Sequence, residues 1–198
     1  MKSISHSGQI RIWLLSTIIM VILMILIGGV TRLTDSGLSM VEWRPLWGFL
    51  PPISQFEWNR VFELYMKSPE YIFKNKGMSL EEFKEIFFWE YFHRLWGRLI
   101  GIIFIIPLLF FIIVKKIPKS ILSKLFLILF LGGLQGFIGW WMVKSGLVND
   151  PTVSQYRLTI HLSNALLILS LLIWVYLDVK EGVSQIKPDF SFFMFSIL

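Results

Sequence analysis

The sequence contains no cysteine among its 198 residues, and this absence narrows the chemistry that it can carry. Without a thiol there can be no disulfide, no thiolate metal site and no cysteine nucleophile. Histidine is scarce as well, with three residues at positions 6, 93 and 161. Ligation of a metal or a haem by imidazole is therefore restricted to these three side chains.

Charged residues are also few, at 16% against 55% hydrophobic residues, and three long runs contain none. The runs 12–31, 125–143 and 158–177 have 20, 19 and 20 residues, and about 20 residues span the hydrocarbon of a bilayer. A fourth run, 99–114, has only 16 residues. It can span only by including the preceding "EYFHRLWGR". The sequence thus predicts an all-α polytopic membrane protein, a four-transmembrane-helix bundle with polar residues inside the second span.

The net charge of +6 is unevenly distributed along the chain. Basic residues without acidic ones precede the first span and separate the second from the third: Lys2, Arg11, Lys115, Lys116, Lys119 and Lys124. Short loops rich in Lys and Arg stay in the cytoplasm. This pattern predicts a multi-pass protein of the bacterial inner membrane with a cytoplasmic N-terminus. Contact with membrane lipid and the membrane topology then explain the net positive charge of the chain, and nucleic acid is not expected as a partner.

The chain divides into segments at the ends of these runs. The first run is too long for a signal-peptide core, so we expect it to be retained. Capping boxes at Ser54 and Ser79 predict short helices in the long outer loop, the last of which continues into the second span. Trp43, Trp47 and Trp58 are expected as membrane-interface anchors. The predicted segments are 1–31 (cytoplasmic tail and first span), 32–85 (outer loop with interfacial helices), 86–114 (second span), 115–122 (cytoplasmic loop), 123–143 (third span), 144–155 (outer loop), 156–178 (fourth span) and 179–198 (C-terminal tail).

The second and fourth spans run in the same direction and each carries a histidine near its outer end. At 1.5 Å per residue, His93 and His161 both lie about 10 Å below the outer boundary. Two imidazoles at similar depth in one bundle can bind the two faces of a haem iron, or offer one ligand and one distal group. A lone histidine within a span is also compatible with simple packing. The pairing of two favours ligation, and we take His93 and His161 as candidate metal ligands.

Charged residues flank both histidines. Arg94 and Arg98 lie on one stripe of the second span, and Arg157 is four residues before His161. Because arginine pairs with carboxylates, these three are candidates for binding haem propionates. Glu90 is three residues before His93 and could orient the imidazole or accept a proton. Its spacing from Arg94 equally predicts an ion pair.

The two helix pairs show a weak internal similarity. Helix one ends "GGVTRLTDSGL", helix three carries "GGLQGFIGWWMVKSGL", and each leads outward to a Ser-Gly-Leu before a helix with a histidine. The glycines indicate close helix packing. Gln135 and Asn164 are polar residues inside spans, interpreted either as interhelical hydrogen-bonding groups or as pocket lining.

Four stretches resemble the haem A synthase family, in its proteobacterial and mitochondrial branch. They are "GGVTRLTDSGLSMVEWRPLWGFLPP", "SPEYIFKNKGMSLEEFKEIFFWEYFHRLWGRLIG", "GGLQGFIGWWMVKSGL" and "VSQYRLTIHLSNALL". The resemblance covers residues 28–167 almost without a break. The lack of cysteine fits this branch, since another branch carries a cysteine pair in the first loop.

The resemblance implies a reaction, in which the C8 methyl of haem O is oxidised to the formyl group of haem A for haem-copper cytochrome oxidase. Members have eight spans in two similar halves, each with a histidine pair. The N-terminal half is implied to process haem O, with catalytic residues matching Glu90, His93 and His161. The C-terminal half is implied to hold haem b as a cofactor. Haem O synthase and cytochrome oxidase subunits are implied as partners, and a homo-oligomer is compatible with the pattern.

This sequence departs from the family at its C-terminus. It stops at Leu198 with "DFSFFMFSIL", which is too short to span, and a second histidine pair is absent. The interpretations left open are a truncated product, one half of a split enzyme and a fragment. Two other function classes also stay open: a bis-histidine cytochrome b-type electron-transfer anchor, and a non-enzymatic haem-handling or oxidase-assembly protein.

Overall fold

The computed structural model describes residues 4–42, 49–148 and 151–181. Trp43, Trp47 and the C-terminal residues 182–198 lie outside the described residues. Within the described part all regular structure is helical. The six helices are α1 (Ile4–Leu33), α2 (Gln55–Tyr65), α3 (Pro69–Phe73), α4 (Leu80–Ile113), α5 (Lys119–Gly146) and α6 (Gln155–Glu181). Helices α1, α4, α5 and α6 are long and apolar enough to cross a membrane, which confirms the fold predicted from the sequence.

Helix α4 is one continuous helix of 34 residues. A capping box at Ser79 sets its first turn well before the apolar run that begins at residue 99. The Ser79 side chain accepts a hydrogen bond from the Glu82 amide, and the Glu82 carboxylate accepts one from the Ser79 amide. The helix also contains Pro107, which has no amide hydrogen and so leaves the carbonyl of Ile103 without its helical donor. The indole of Trp13 on α1 donates to that carbonyl at 3.0 Å. The carbonyl of Ile103, which Pro107 leaves without a helical donor, therefore accepts a hydrogen bond that links α4 to α1.

The four long helices share one hydrophobic core, which occupies only one half of the bundle. We call this half the turn end, because residues 114–118 connect α4 to α5 there, and the opposite half the loop end. The fully buried members come from the start of α1, the end of α4, the start of α5 and the end of α6: Leu14, Leu108, Ile121, Leu125, Leu172 and Val175. The extensive helix contacts are α1 with α4, α1 with α6, and α5 with α6. Helices α4 and α6 are not among these pairs, so they do not close on each other.

A second, smaller core holds the loop module, which consists of α2, α3 and the first turns of α4. Tyr65, Phe83 and Phe87 are buried at its centre. The Trp58 ring lies edge-on to Phe87 with centroids 5.1 Å apart, and therefore contributes to this core. The loop module places a folded layer over the loop end of the bundle, where both histidines are found.

Candidate functional site

The loop end of the bundle lacks the buried core found at the turn end. Every residue from 91 to 100 in α4 is partly exposed, including His93, Arg94 and Arg98. On α5, a Cβ atom added at Gly132, Gly133 or Gly136 would have nothing within 4 Å. These three glycines are exposed, so the surface of α5 is open at their positions.

Each histidine rests against a glycine of the helix that precedes it in the bundle. A Cβ atom at Gly28 on α1 would lie 3.4 Å from Nε2 of His93. A Cβ atom at Gly139 on α5 would lie 3.1 Å from Cε1 of His161. The two helix pairs, α1 with α4 and α5 with α6, therefore repeat one arrangement. The weak sequence similarity between the pairs has a structural counterpart here.

The rings of His93 and His161 differ in their hydrogen bonds. Among the described residues, none hydrogen-bonds to the His93 ring. The His161 ring has Nε2 3.2 Å from Nε2 of Gln135, and its buried Nδ1 has no hydrogen-bond partner among the described residues.

Glu90 is 2% exposed and its carboxylate is fully engaged by neighbours. Oε2 accepts hydrogen bonds from the Ser39 hydroxyl at 2.8 Å and from the Met40 amide at 2.7 Å. Oε1 pairs with Arg94, whose guanidinium also donates to the carbonyls of Met40 and Glu42. The ion pair predicted by the sequence spacing is present. Together the two side chains tie the segment after α1 to the start of the second span.

The other two candidate arginines, Arg98 and Arg157, contact different aromatic rings. The Arg98 guanidinium lies over the ring of Phe49, 5.4 Å from its centroid. Arg157 stacks on Trp141 of α5 at 4.3 Å and donates to the Trp141 carbonyl at 3.3 Å. The structure thus brings Glu90 and Arg94 together, whereas Arg98 and Arg157 each lie against an aromatic ring.

Sequence reasoning missed several of these contacts. Ser39 and Met40 are about fifty residues from Glu90 along the chain, and no periodicity reports such a pairing. Gly28 and Gly139 were recognised as packing residues, although not as the contacts of the histidines. A second acidic group, Glu70 in the loop module, is buried at 3% exposure and was not singled out. Its signal in the sequence was only its place after Ser68 and Pro69 at a helix start.

The described residues contain no group of three or more histidine, aspartate and glutamate side chains that could hold a metal ion. A site made of carboxylates and imidazoles is therefore absent from this part of the chain.

The sequence has relatives among known proteins. Residues 11–197 match the model of the cytochrome oxidase assembly protein family. A haem A synthase of Nitrosospira multiformis is 56% identical over 170 residues, covering 86% of this chain and 48% of that protein. Haem A synthases of Parvibaculum lavamentivorans and Agrobacterium fabrum are 46% and 49% identical over 92% and 91% of this chain, and 53% and 48% of their own lengths.

The chain spans about half the length of these curated relatives. No solved structure matches it. The family model covers nearly the whole sequence, and the matched region contains most of α1, all of α4, α5 and α6, and both histidines of the loop end. The chain therefore belongs to the cytochrome oxidase assembly protein family and corresponds to the N-terminal half of its haem A synthase members.

Proposed function

We propose that this chain binds haem O between His93 and His161 and takes part in oxidising its C8 methyl group to the formyl group of haem A. The observation that carries this proposal is the repeated seat of the two histidines. Each ring lies against a glycine at the loop end, where the four helices leave their interior without a core. The name shared by the relatives supplies the reaction class.

The residues present fit a haem. No described residue hydrogen-bonds to the His93 ring, so a ring nitrogen there is available to an iron, and Nε2 of His161 lies 3.2 Å from the amino group of Gln135. Imidazole is a usual axial ligand of haem iron, and a bis-histidine pair needs no further donor.

The proposed roles follow from the position of each side chain. His93 and His161 hold the substrate at its iron, and the substrate supplies the methyl carbon that loses electrons and protons. A membrane electron acceptor takes the electrons, and water supplies the oxygen. Glu90 accepts a proton during this oxidation, and Arg94 holds its side chain in position. Arg98 and Arg157 are the proposed cations for the propionates.

The cofactor, orientation and partners complete the proposal. A haem b cofactor would require a second histidine pair, which this sequence does not contain. We place the N-terminus in the cytoplasm and the protein in the bacterial inner membrane, on the basis of the basic residues at the turn end. Haem O synthase and cytochrome oxidase subunits are the proposed partners for substrate delivery and product use, and a homo-oligomer is compatible with this arrangement.

The test is expression of the 198-residue chain with haem O supplied, followed by purification and extraction of the pigment. We expect bound haem, part of it converted to haem A. The variants His93→Ala and His161→Ala should lose haem, while His6→Ala near the start of α1 should retain it. Haem binding that survives removal of both His93 and His161 would refute the proposed site.

A second candidate function is haem binding without turnover, as in a cytochrome b-type anchor or a haem-handling assembly protein. The engagement of both Glu90 oxygens favours it, because a carboxylate held by Ser39, Met40 and Arg94 is poorly placed to move protons. This function predicts a reversible low-spin haem spectrum with no conversion of haem O. The same pigment extraction separates the two functions.

A further inference from the structure

A chain of amide hydrogen bonds within the bundle ends on the ring of His161. Asn164 on α6 donates from Nδ2 to the carbonyl of Leu131 on α5 at 3.1 Å, and to Oε1 of Gln135 at 2.7 Å. Gln135 in turn has Nε2 3.1 Å from the carbonyl of His161 and 3.2 Å from Nε2 of its ring. Asn164 is buried, so this network is held inside the α5–α6 interface.

The network fixes which atoms donate at each step. The carbonyl of Leu131 can only accept, so the amide nitrogen of Asn164 must face it. The same nitrogen then donates to Oε1 of Gln135, and this leaves the amino group of Gln135 facing His161. An amino group only donates, so Nε2 of His161 must be the acceptor and carry no proton. The ring proton of the neutral imidazole is then on Nδ1.

In this tautomer Nε2 carries a lone pair, which accepts from the Gln135 amino group. This is also the electron pair that a haem iron would use. A single lone pair cannot serve both the Gln135 amino group and an iron. His93 is in a different situation, because no described residue hydrogen-bonds to its ring and its Nε2 faces Gly28. The two candidate ligands of the site are therefore not equivalent.

We propose that Gln135 is a reversible cap on the ligating nitrogen of His161, so that His161 is the exchangeable ligand of the bound haem and His93 the permanent one. This inference rests on the proposed function, because it concerns the same site. While the Gln135 amino group holds Nε2 of His161, that nitrogen would not be available to a bound haem, and it would become available when Gln135 turns away. Gln135 is thus a positioning residue, acting on the haem through His161.

The cap should have a modest and measurable strength. A hydrogen bond between neutral groups changes an equilibrium by about two- to tenfold. Removing the amino group of Gln135 should therefore shift the ratio of six- to five-coordinate haem by about that factor. An external ligand that competes with His161 for the sixth position should bind correspondingly more weakly.

The experiment compares the purified wild-type chain, loaded with ferric protoporphyrin IX, with the variant Gln135→Leu. Absorption and electron paramagnetic resonance spectra give the low-spin fraction, and titration of the ferric protein with cyanide gives the affinity of the sixth position. We expect a larger low-spin fraction and cyanide binding that is about two- to tenfold weaker in the variant. Ser170→Ala, which removes an exposed polar group of α6 that bonds only within its own helix, is the matched control and should leave both values unchanged.

The outcomes separate this inference from the proposed function. If the wild-type chain takes up no haem, the proposed function fails and the cap fails with it. If haem is bound and Gln135→Leu leaves the low-spin fraction unchanged, the cap does not exist. A lower low-spin fraction would also overturn it, because Gln135 would then support the iron–His161 bond. Gln135→Met provides the same test with a flexible side chain should the leucine variant not insert into the membrane.

Discussion

Gly139 and His161 touch across the α5–α6 interface so closely that no side chain fits between them. A Cβ atom at position 139 would lie 3.1 Å from Cε1 of the ring and 3.7 Å from Nδ1. Contacts this short require a neighbour to move by a few tenths of an ångström. The Gln135 amino group lies 3.2 Å from Nε2 of the same ring, so a shift of the ring away from position 139 would disturb this contact.

The first prediction is that Gly139→Ala weakens haem binding through His161. Overpacking of this kind costs about 1–3 kcal/mol. The ratio of six- to five-coordinate haem should therefore fall by roughly tenfold, and the low-spin fraction should fall with it. Gly136→Ala is the matched control, because it lies one turn earlier on α5 and a Cβ atom there meets nothing within 4 Å. Both changes alter helix propensity equally. Titration with ferric protoporphyrin IX, followed by absorption, measures the effect, and equal spectra for the two variants would contradict it.

The second prediction applies the same comparison to His93. Gly28→Ala would place its methyl 3.4 Å from Nε2 of the ring, whereas Gly29→Ala has open space. Since Nε2 is the proposed iron ligand, a methyl beside it should hinder approach of the haem. We expect the apparent dissociation constant for haem to rise several-fold in Gly28→Ala, by about 1 kcal/mol or more, and to stay unchanged in Gly29→Ala. A fluorescence-quenching titration of the tryptophans measures both.

The sequence predicted much of the fold because a membrane imposes a length on each helix. The run 99–114 was too short to span alone, and this placed His93 within a helix that indeed extends from Leu80 to Ile113. The capping box at Ser79 marked its start. These predictions depended on local rules that need no knowledge of the tertiary structure.

The contacts around the histidines required the tertiary structure. Helical spacing predicted the pair between Glu90 and Arg94, since both lie on one helix. It could not predict that Ser39 and Met40 donate hydrogen bonds to the same carboxylate, because the conformation of a long loop leaves no repeating pattern in the sequence. The orientation of Gln135 toward His161 depends on how α5 is rotated about its axis relative to α6. An apolar sequence does not determine this rotation, because apolar side chains lie on every face of the helix.

The third prediction separates two roles of Glu90. Glu90→Gln keeps an oxygen that can accept from Ser39 and Met40, but it cannot accept a proton. If Glu90 is the proton acceptor, the variant should keep its haem and lose haem A formation by about 10²-fold or more. Glu81→Gln, on an exposed carboxylate in the first turn of α4, is the control. Normal haem A formation in Glu90→Gln would show that the carboxylate has only a structural role.

Glu90→Ala should have an additional effect that the glutamine variant lacks. Both variants remove the charge that pairs with the mostly buried Arg94, but alanine also removes the oxygen that accepts from the Ser39 hydroxyl and the Met40 amide. Leaving a buried donor without its acceptor costs about 1–3 kcal/mol. We therefore expect a lower midpoint of thermal unfolding for Glu90→Ala than for Glu90→Gln, measured by circular dichroism in detergent. Similar midpoints would mean that these hydrogen bonds do not stabilise the segment after α1.

The loop module contains a buried carboxyl whose titration should affect its stability. Oε2 of Glu70 accepts a hydrogen bond from the Tyr65 hydroxyl at 3.0 Å, and that hydroxyl accepts one from Asn75 at 2.7 Å. Burial raises the pKa of Glu70 to about 7, and the nearby charges of Glu90 and Asp35 act in the same direction, while Tyr65 and Lys74 oppose them. Between its usual pKa of 4.5 and about 7, the folded module keeps a proton that the unfolded chain has released. Its free energy of unfolding should therefore fall as the pH rises through this range and level off above it.

The fourth prediction is that Glu70→Gln removes this pH dependence. The amide keeps an oxygen for the Tyr65 hydroxyl and carries no charge, so the variant should be more stable than the wild type at pH 8. The gain should be roughly 3 kcal/mol, at about 1.4 kcal/mol per unit of pKa shift. Below pH 4.5 the two proteins should be alike. Thermal unfolding followed by tryptophan fluorescence, which includes Trp58 of the module core, measures the difference between pH 4 and pH 8. Glu63→Gln, on the exposed face of α2, is the matched control. A wild-type midpoint that stays constant or rises between pH 4.5 and pH 7 would contradict the prediction, because a carboxyl with a raised pKa can only lose stability in that range.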